Sequence, residues 1–221
     1  MPNHRNPTYH ALIGDIVSSR TLPDRAGVQR DLFEVIERLN GSMGGALAAP
    51  LKLTAGDELQ GLVSEAAAVV DIVVATADAL HPAAVAWGMG SGSLTTDLVK
   101  DVALLDGPCF HRARSALKEA RRDQAWLRQE GLPSPHGGVV TALFDLTWAV
   151  RSGWTATQLR YVRDAREMQQ QEVAERYGVT KQAVSQSLGS AQFRAVRAGE
   201  GALRSLLRWV GEVRTEPGTG S

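Results

Sequence analysis

One stretch of this chain carries more structural information than any other: Gln171-Glu-Val-Ala-Glu-Arg-Tyr-Gly-Val-Thr-Lys-Gln-Ala-Val-Ser-Gln-Ser-Leu188. Val173, Ala174 and Tyr177 give a first helix its buried face, and the small Ala174 lets a second helix cross closely. Gly178 stands where the chain must leave that helix, because glycine adopts the left-handed conformation at little cost. Thr180 is a good N-cap for the next helix. The pattern is typical of a helix-turn-helix unit.

The second helix of this unit presents polar side chains on the side away from the core. Val184 and Leu188 are four residues apart and point inward together. The outward side would enter a DNA major groove, where Lys and Gln read base edges and Ser bonds bases or phosphates. An ordinary helical hairpin with a polar surface is the alternative. The predicted DNA-binding residues are Thr180, Lys181, Gln182, Ser185 and Gln186.

The charge distribution favours the same end of the chain. The 221 residues have a formal net charge of zero and suffice for one large domain or two smaller ones. Residues 1–153 carry 14 basic and 17 acidic side chains, whereas residues 154–221 carry 10 and 7. A small basic excess therefore accompanies the predicted DNA-binding unit. Because the excess is modest, we expect DNA binding as a homodimer.

The compartment is predicted from cysteine content and hydropathy. Cys109 is the single cysteine and has no neighbours at metal-ligand spacing, which suits a reducing interior. The N-terminal residues lack the apolar core of a signal peptide. The most apolar stretch, 66–80, is interrupted by Asp71 and Asp78 and is too short to cross a membrane. We expect a cytoplasmic protein without a membrane partner.

The first part of the chain predicts a mixed sheet with helices. A strand over 9–17 is followed by a helix that Pro23-Asp24 opens, a loop over 41–49, and a hairpin over 51–63. A buried helix over 64–80, a strand over 83–92 and a helix from Pro108 to about Glu130 complete the order. This order predicts an α+β fold of ferredoxin-like or palm type.

The second part predicts an all-α domain. Gly131-Leu-Pro-Ser-Pro-His-Gly-Gly138 breaks the helical pattern and is expected to be a linker between residues 1–130 and 139–214. Helices are expected from 139 to 151, near 155–167, in the helix-turn-helix, and around 201–213. Residues 215–221 are expected to be a disordered tail.

Acidic residues at two strand ends suggest a metal site in the palm domain. Asp15 ends an otherwise apolar strand, where an aspartate needs a partner. Asp57 and Glu58 lie at the tip of the hairpin, which neighbours the first strand in a palm sheet. Two carboxylates on adjacent strands are a plausible platform for Mg²⁺ or Mn²⁺ and a phosphate. Acidic residues are also common at hairpin turns, so the alternative is a solvated turn.

The strand over 83–92 and the following helix suggest where a nucleotide would lie. Gly88 and Gly90 belong to a face of the strand that carries almost no side chains, which admits either a bound nucleotide or a closely packed helix. His111, Arg114, Lys118 and Arg121 share one side of the helix. Arg114, near the helix start, can stabilise a phosphate; a solvated basic face is the alternative. The candidate nucleotide-binding residues are Lys52, Gly88, Gly90, Arg112 and Arg114.

Three motifs taken together, with the helix-turn-helix, resemble the SatD family of bacterial proteins. They are Gly14-Asp-Ile-Val-Ser-Ser-Arg20, Thr54-Ala-Gly-Asp-Glu-Leu-Gln-Gly61 and Asp106-Gly-Pro-Cys-Phe-His-Arg-Ala-Arg114. The first domain is also similar to class III nucleotide cyclases and diguanylate cyclases, where an Asp-Ile pair and a Gly-Asp hairpin hold two metals. The resemblance implies metal contacts from Asp15, the Ile16 carbonyl and Asp57, and a catalytic role for Arg114.

The chain departs from the cyclase pattern at two places. Lys52 lies one residue from the position of the purine-selecting lysine, and Phe110 stands where an asparagine precedes the arginine by four residues. Nucleotide binding is therefore expected ahead of cyclisation. The leading hypothesis is a transcriptional regulator whose palm domain binds a nucleotide or metal-nucleotide. A metal-dependent cyclase or other phosphoryl-transfer enzyme is the second, and a protein-interaction module with a degenerate palm is the third.

Overall fold

The computed structural model describes residues 7–19, 22–54 and 58–215, with side chains to residue 212. The strands of its central sheet are β1 Tyr9–Ile16, β2 Leu47–Leu53, β3 Glu58–Val63, β4 Val85–Gly92 and β5 Leu127–Glu130. The α-helices of the described residues are α1 Arg25–Ser42, α2 Ala68–Leu80, α3 Pro108–Arg122, α4 His136–Arg151, α5 Ala156–Ala165, α6 Gln170–Tyr177, α7 Lys181–Ser190 and α8 Phe193–Thr215.

The sheet has the strand order β2-β3-β1-β4-β5. β1 pairs antiparallel with β3 and β4, and β2 pairs antiparallel with β3. The first four strands therefore have the order and directions of a ferredoxin-like sheet, and the predicted α+β class is confirmed. β5 adds a fifth strand, parallel to β4.

Alternating side chains along β1 separate two apolar cores. Leu12 and Ile16 belong to a core that α1 and α2 cover, whereas Ala11 and Ile13 belong to one that α3 covers. This alternation follows from the two-residue period of a strand. Asp15 shares the period of Ala11 and Ile13 and therefore faces α3.

The helix that the sequence predicts to reach Glu130 ends at Arg122, so that expectation is wrong. Gln124 has a φ of 52°, and its left-handed conformation turns the chain back toward the sheet. Leu127 then pairs with Trp87 as the first partners of a parallel ladder. Trp126 and Leu127 are both buried, which explains why this segment joins the sheet rather than extending a solvated helix.

Other element boundaries differ from the predicted ones by a few residues. Part of the expected loop over 41–49 belongs to α1 and β2, the expected helix over 64–80 begins at Ala68, and the last helix begins at Phe193 rather than near 201. No described helix is long and apolar enough to cross a membrane. Residues 216–221 of the expected tail lie outside the described part of the chain.

The helical part of the chain packs directly against the sheet domain. Residues 136–138 of the expected linker already form the first turn of α4. Val140 and Phe144 of α4, with Leu203 and Leu207 of α8, belong to the same core as α1 and α2. A third core lies among α5, α6, α7 and the start of α8. α8 therefore extends from this third core to the core beneath the sheet.

Candidate functional site

The turn between α6 and α7 has the conformation that its residues predict. Gly178 adopts the left-handed conformation with a φ of 64°, and the Val179 amide donates to the carbonyl of Ala174 at 3.0 Å. The Thr180 hydroxyl accepts from the Ala183 amide at 3.1 Å, which caps the first turn of α7. These local bonds fix the direction in which α7 leaves the turn.

A compact core holds α6 and α7 in place. Val173, Ala174, Val184 and Leu188 are all buried within it, as the sequence predicts. The indole Nε1 of Trp154, between α4 and α5, donates to the Ala191 carbonyl at the end of α7 at 2.8 Å. Both ends of α7 are thus tied to neighbouring elements, and its orientation is set by packing rather than by the turn alone.

The outward side of α7 is polar and exposed. Lys181, Gln182, Ser185 and Gln186 all lie in the most exposed class of residues, and so does the capping Thr180. Apart from the capping Thr180, these side chains have no hydrogen-bonding or ionic partner within the part of the chain that the structure describes. Their donors and acceptors are therefore available to a ligand.

Two of the predicted acidic residues of the palm domain, Asp15 and Glu58, lie side by side in the sheet. Asp15 of β1 pairs directly with Glu58 of β3, and both face α3. Arg121 of α3 forms an ion pair with Asp15, and Arg114 lies 3.7 Å from the Glu58 carboxylate. The Gln60 amide also donates to Glu58 at 2.5 Å. The structure therefore brings together Asp15, Glu58 and Arg114 from the predicted site.

Two further metal contacts are predicted from the sequence, Asp57 and the backbone carbonyl of Ile16. Asp57 lies outside the described residues. Ile16 ends β1 with its side chain buried on the opposite face of the sheet. Among the described residues, no group of three or more His, Cys, Asp or Glu side chains is arranged to hold a metal ion.

Among the described residues, the surroundings of Asp15 and Glu58 suit pairing with arginines better than binding of a divalent cation. Mg²⁺ prefers carboxylates that keep free lone pairs for it and for its water ligands. Here Asp15 and Glu58 already face guanidinium groups from α3, which neutralise them. A cation at this point would have to displace Arg121 from Asp15.

The bare face of β4 is filled by α3, which corrects the assignment of Gly88 and Gly90 to nucleotide binding. A Cβ at Gly88 would overlap the backbone of Ala113 and Leu117, and one at Gly90 would overlap that of Cys109. The absence of side chains lets the helix approach the strand closely, so no space for a ligand remains above these glycines.

Lys52 and Arg112 are also engaged within the protein. The Lys52 ammonium donates to both carboxylate oxygens of Asp101, at 2.9 and 3.0 Å. Arg112 donates to the Ser91 carbonyl at 2.5 Å and contacts Gly131, so it joins α3 to the ends of β4 and β5. Among the described residues, neither side chain bonds to Asp15 or Glu58.

A buried ring of four charges was missed by the sequence analysis. Arg151 donates to Asp78 at 2.5 Å and to Glu200 at 3.3 Å. Arg166 lies 2.9 Å from the other oxygen of Asp78 and donates to Glu200 at 2.7 and 2.8 Å. Acid and base alternate around this ring, which joins α2 of the sheet domain to α4, α8 and the end of α5. The signal in the sequence is Asp78, a charge within an apolar helix.

Comparisons with known proteins identify one family and several distantly similar structures. The family model for the SatD family matches residues 9–200. A bacterial light-regulated adenylyl cyclase is 17% identical, with a TM-score of 0.40, over 55% of this chain and 74% of that chain. A regulator of polyketide synthase expression from Bifidobacterium adolescentis is 14% identical, with a TM-score of 0.27, over 95% of this chain and 82% of that one. No curated protein matches significantly.

Proposed function

The chain belongs to the SatD family, and we propose that it is a transcriptional regulator whose α6 and α7 form a DNA-binding helix-turn-helix. The observation that carries this proposal is the exposed face of α7. Lys181, Gln182, Ser185 and Gln186 have no partner among the described residues, and the helix beneath them is fixed by its own core. Lys181 and Gln182 are held in fixed positions at the start of a short helix. This arrangement suits hydrogen bonding to base edges in a DNA major groove.

Charge along the chain supports the same surface. Residues 176–199 contain four basic residues and no acidic one. Lys181 of α7 and Arg194 and Arg197 of α8 are exposed, and phosphate contacts need such cations beside the reading helix. Glu200, the first acidic residue after this segment, is fully buried and paired with two arginines. It therefore does not oppose a phosphate backbone at the surface.

α8 and the charge ring connect the sheet domain to α7 physically. α8 contributes Val196 to the core beneath α7 and Leu203 and Leu207 to the core beneath the sheet. The charge ring adds Asp78 of α2 to the same connection. A ligand of the palm domain that favours one arrangement of these helices would change the affinity for DNA. We propose a nucleotide as that ligand, on the resemblance to cyclases alone.

The experiment that tests DNA binding is selection of bound fragments from genomic DNA, followed by fluorescence anisotropy at several salt concentrations. The parent protein is expected to bind with an affinity that falls steeply with salt. Lys181→Glu removes a contact and adds a repulsive charge, so we expect a loss of about tenfold or more, the scale of one specific contact.

Lys118→Glu is the matched control, because Lys118 is an exposed lysine on α3, which packs on the opposite face of the sheet from α4 and α8. It changes the net charge by the same amount and is expected to bind like the parent. The proposal fails if the parent binds no DNA at low salt, or if the two variants weaken binding equally.

A further inference from the structure

A groove with a volume of about 740 Å³ lies between the sheet domain and the helical part of the chain. One wall consists of the end of α1 and one side of α2, and the other consists of the end of α5 and part of α8. Small-molecule sites have volumes of roughly 300–1,000 Å³. The groove is therefore large enough for a ligand of nucleotide size.

The side of α2 that lines the groove is mostly apolar and small. Ala68, Ala75 and Ala79 lie on it at spacings of seven and four residues, which place them on one side of a helix. Met43, at the end of α1, borders the same space. Because the alanine side chains are short, an apolar or planar group can lie directly against α2.

Both walls of the groove contribute arginines, which are Arg38 of α1, Arg163 and Arg166 at the end of α5, and Arg204 and Arg208 of α8. Two of these are neutralised within the chain. Arg166 pairs with Asp78 and Glu200, and Arg204 lies 2.7 Å from Asp71. The other three are exposed and have no hydrogen-bonding or ionic partner among the described residues; they are Arg38, Arg163 and Arg208.

Arg38 and Arg163 come together from opposite walls. Both also line a smaller depression beside the groove, so two unpaired guanidinium groups from different parts of the chain border one space. Asp31 and Glu34 line the same depression, but within the described residues neither forms an ion pair with these arginines. Two neighbouring cations repel each other, and an anion bound between them would remove this repulsion.

The acidic residues around the groove favour a small ligand over a long polyanion. Asp71, Asp78 and Asp164 are each paired with an arginine of the chain. Glu65 and Glu167 also line the groove, and both are exposed and unpaired among the described residues. A DNA backbone laid along this surface would meet the free carboxylates, whereas a short anion can contact the arginines alone.

We propose that this groove binds a small organic polyphosphate, with its phosphates between Arg38 and Arg163 and its apolar part against the alanines of α2. Guanidinium groups match the geometry of phosphate oxygens and can bond two at once. The groove is separate from the Asp15–Glu58 pair, because α1 and α2 cover one face of the sheet and Asp15 faces α3 on the other. The bound ligand links α1 of the sheet domain to α5 of the helical part.

Calorimetric titration without Mg²⁺ tests the groove, with pyrophosphate, ADP and ATP as probes. The parent is expected to bind them, and Arg38→Gln and Arg163→Gln are each expected to weaken binding by about tenfold or more, the scale of one charge-assisted hydrogen bond. Tighter binding of the nucleotides than of pyrophosphate supports the contact with α2, and equal binding contradicts that contact.

Arg30→Gln is the matched control, because Arg30 is an exposed arginine on the same helix as Arg38 and is not among the residues that line the groove. It should bind every probe like the parent. The proposal is overturned if the parent binds none of the probes, or if Arg38→Gln and Arg163→Gln bind them as tightly as Arg30→Gln does.

The same variants separate this proposal from DNA binding. Without a polyphosphate, Arg38→Gln is expected to bind DNA like the parent, and the calorimetric result does not depend on whether the protein binds DNA at all. If Arg38→Gln and Arg163→Gln weaken DNA binding while pyrophosphate binding is unchanged, the groove contacts DNA instead and the proposal is wrong.

Discussion

Two clusters of acidic and arginine side chains have the same chemistry but different surroundings. Asp15 and Glu58 face arginines of α3 whose side chains are 50% and 54% exposed. Asp78 and Glu200 share Arg151 and Arg166 in the protein interior, where the Glu200 side chain is only 1% exposed. Exposed pairs contribute little to stability, whereas loss of one member of a buried set leaves an uncompensated charge. We therefore expect the buried ring to hold the sheet domain to the helices. We expect the exposed carboxylates Asp15 and Glu58 to be able to exchange their arginine partners for a ligand.

The largest effect is expected from Glu200→Gln, which leaves Asp78 as the single carboxylate facing two guanidinium groups. We expect a loss of about 3–5 kcal/mol in the free energy of unfolding, as for other broken buried pairs. In a chain of this size, that corresponds to a fall of roughly 10 °C in Tm. Calorimetry or urea unfolding measures it.

Glu167→Gln is the control for this substitution. Glu167 is an exposed acid next to Arg166, and its replacement is expected to leave Tm nearly unchanged. Equal stability of the two variants would mean that the buried ring does not hold the sheet domain to the helices.

A smaller effect is expected from Asp15→Asn. Arg121 is half-exposed and remains hydrated when its partner is lost, so the free energy of unfolding should change by about 0–1 kcal/mol. Thermal shift with Mg²⁺ and a panel of nucleotides sharpens the comparison. If a nucleotide stabilises the parent but not Asp15→Asn, the carboxylate exchanges Arg121 for the ligand; equal stabilisation of both proteins excludes Asp15 from the nucleotide site.

The smallest effect concerns His81, which follows α2 and lies beside the ring. Burial and then the nearby Arg151 lower the pKa of His81 below its ordinary value of 6.5, and Asp78 opposes them in part. The folded state therefore binds a proton less readily than the unfolded chain does. The resulting stability is present above pH ~6.5 and is lost as pH falls through the unfolded and then the folded pKa.

Urea unfolding at several pH values measures this contribution. Between about pH 7.5 and 5.5 the parent should lose more stability than His81→Asn, because the carboxylates titrate in both proteins and the imidazole only in the parent. The assignment is wrong if the two proteins lose stability in parallel as pH falls.

Features that depend on neighbouring residues could be predicted from the sequence. Gly178 and Thr180 specify the turn before α7 through bonds that span only a few residues. Val184 and Leu188 identify the buried side of α7 by their spacing alone. The strand order of the sheet followed from the succession of strands and helices, with one strand missed.

Features that depend on distant partners could not be predicted. Arg151 and Asp78 are 73 residues apart in the chain, and Arg166 and Glu200 are 34 apart, so spacing gives no sign that they meet. Arg121 was placed on the correct side of α3, but its contact with Asp15 depends on how that helix crosses the sheet. The sequence showed that one face of β4 carries almost no side chains at Gly88 and Gly90. It did not show that α3 packs on that face.

The central claim, that α7 reads DNA sequence, is tested most directly by a ratio of affinities. The Kd for a selected site and for a scrambled duplex of equal length should be measured at one salt concentration for the parent and for Gln182→Ala/Gln186→Ala. The parent should discriminate by about 10³ or more. Each specific contact contributes about 1–3 kcal/mol, so the variant should lose most of this discrimination while retaining its affinity for the scrambled duplex. An unchanged ratio in the variant would contradict the account.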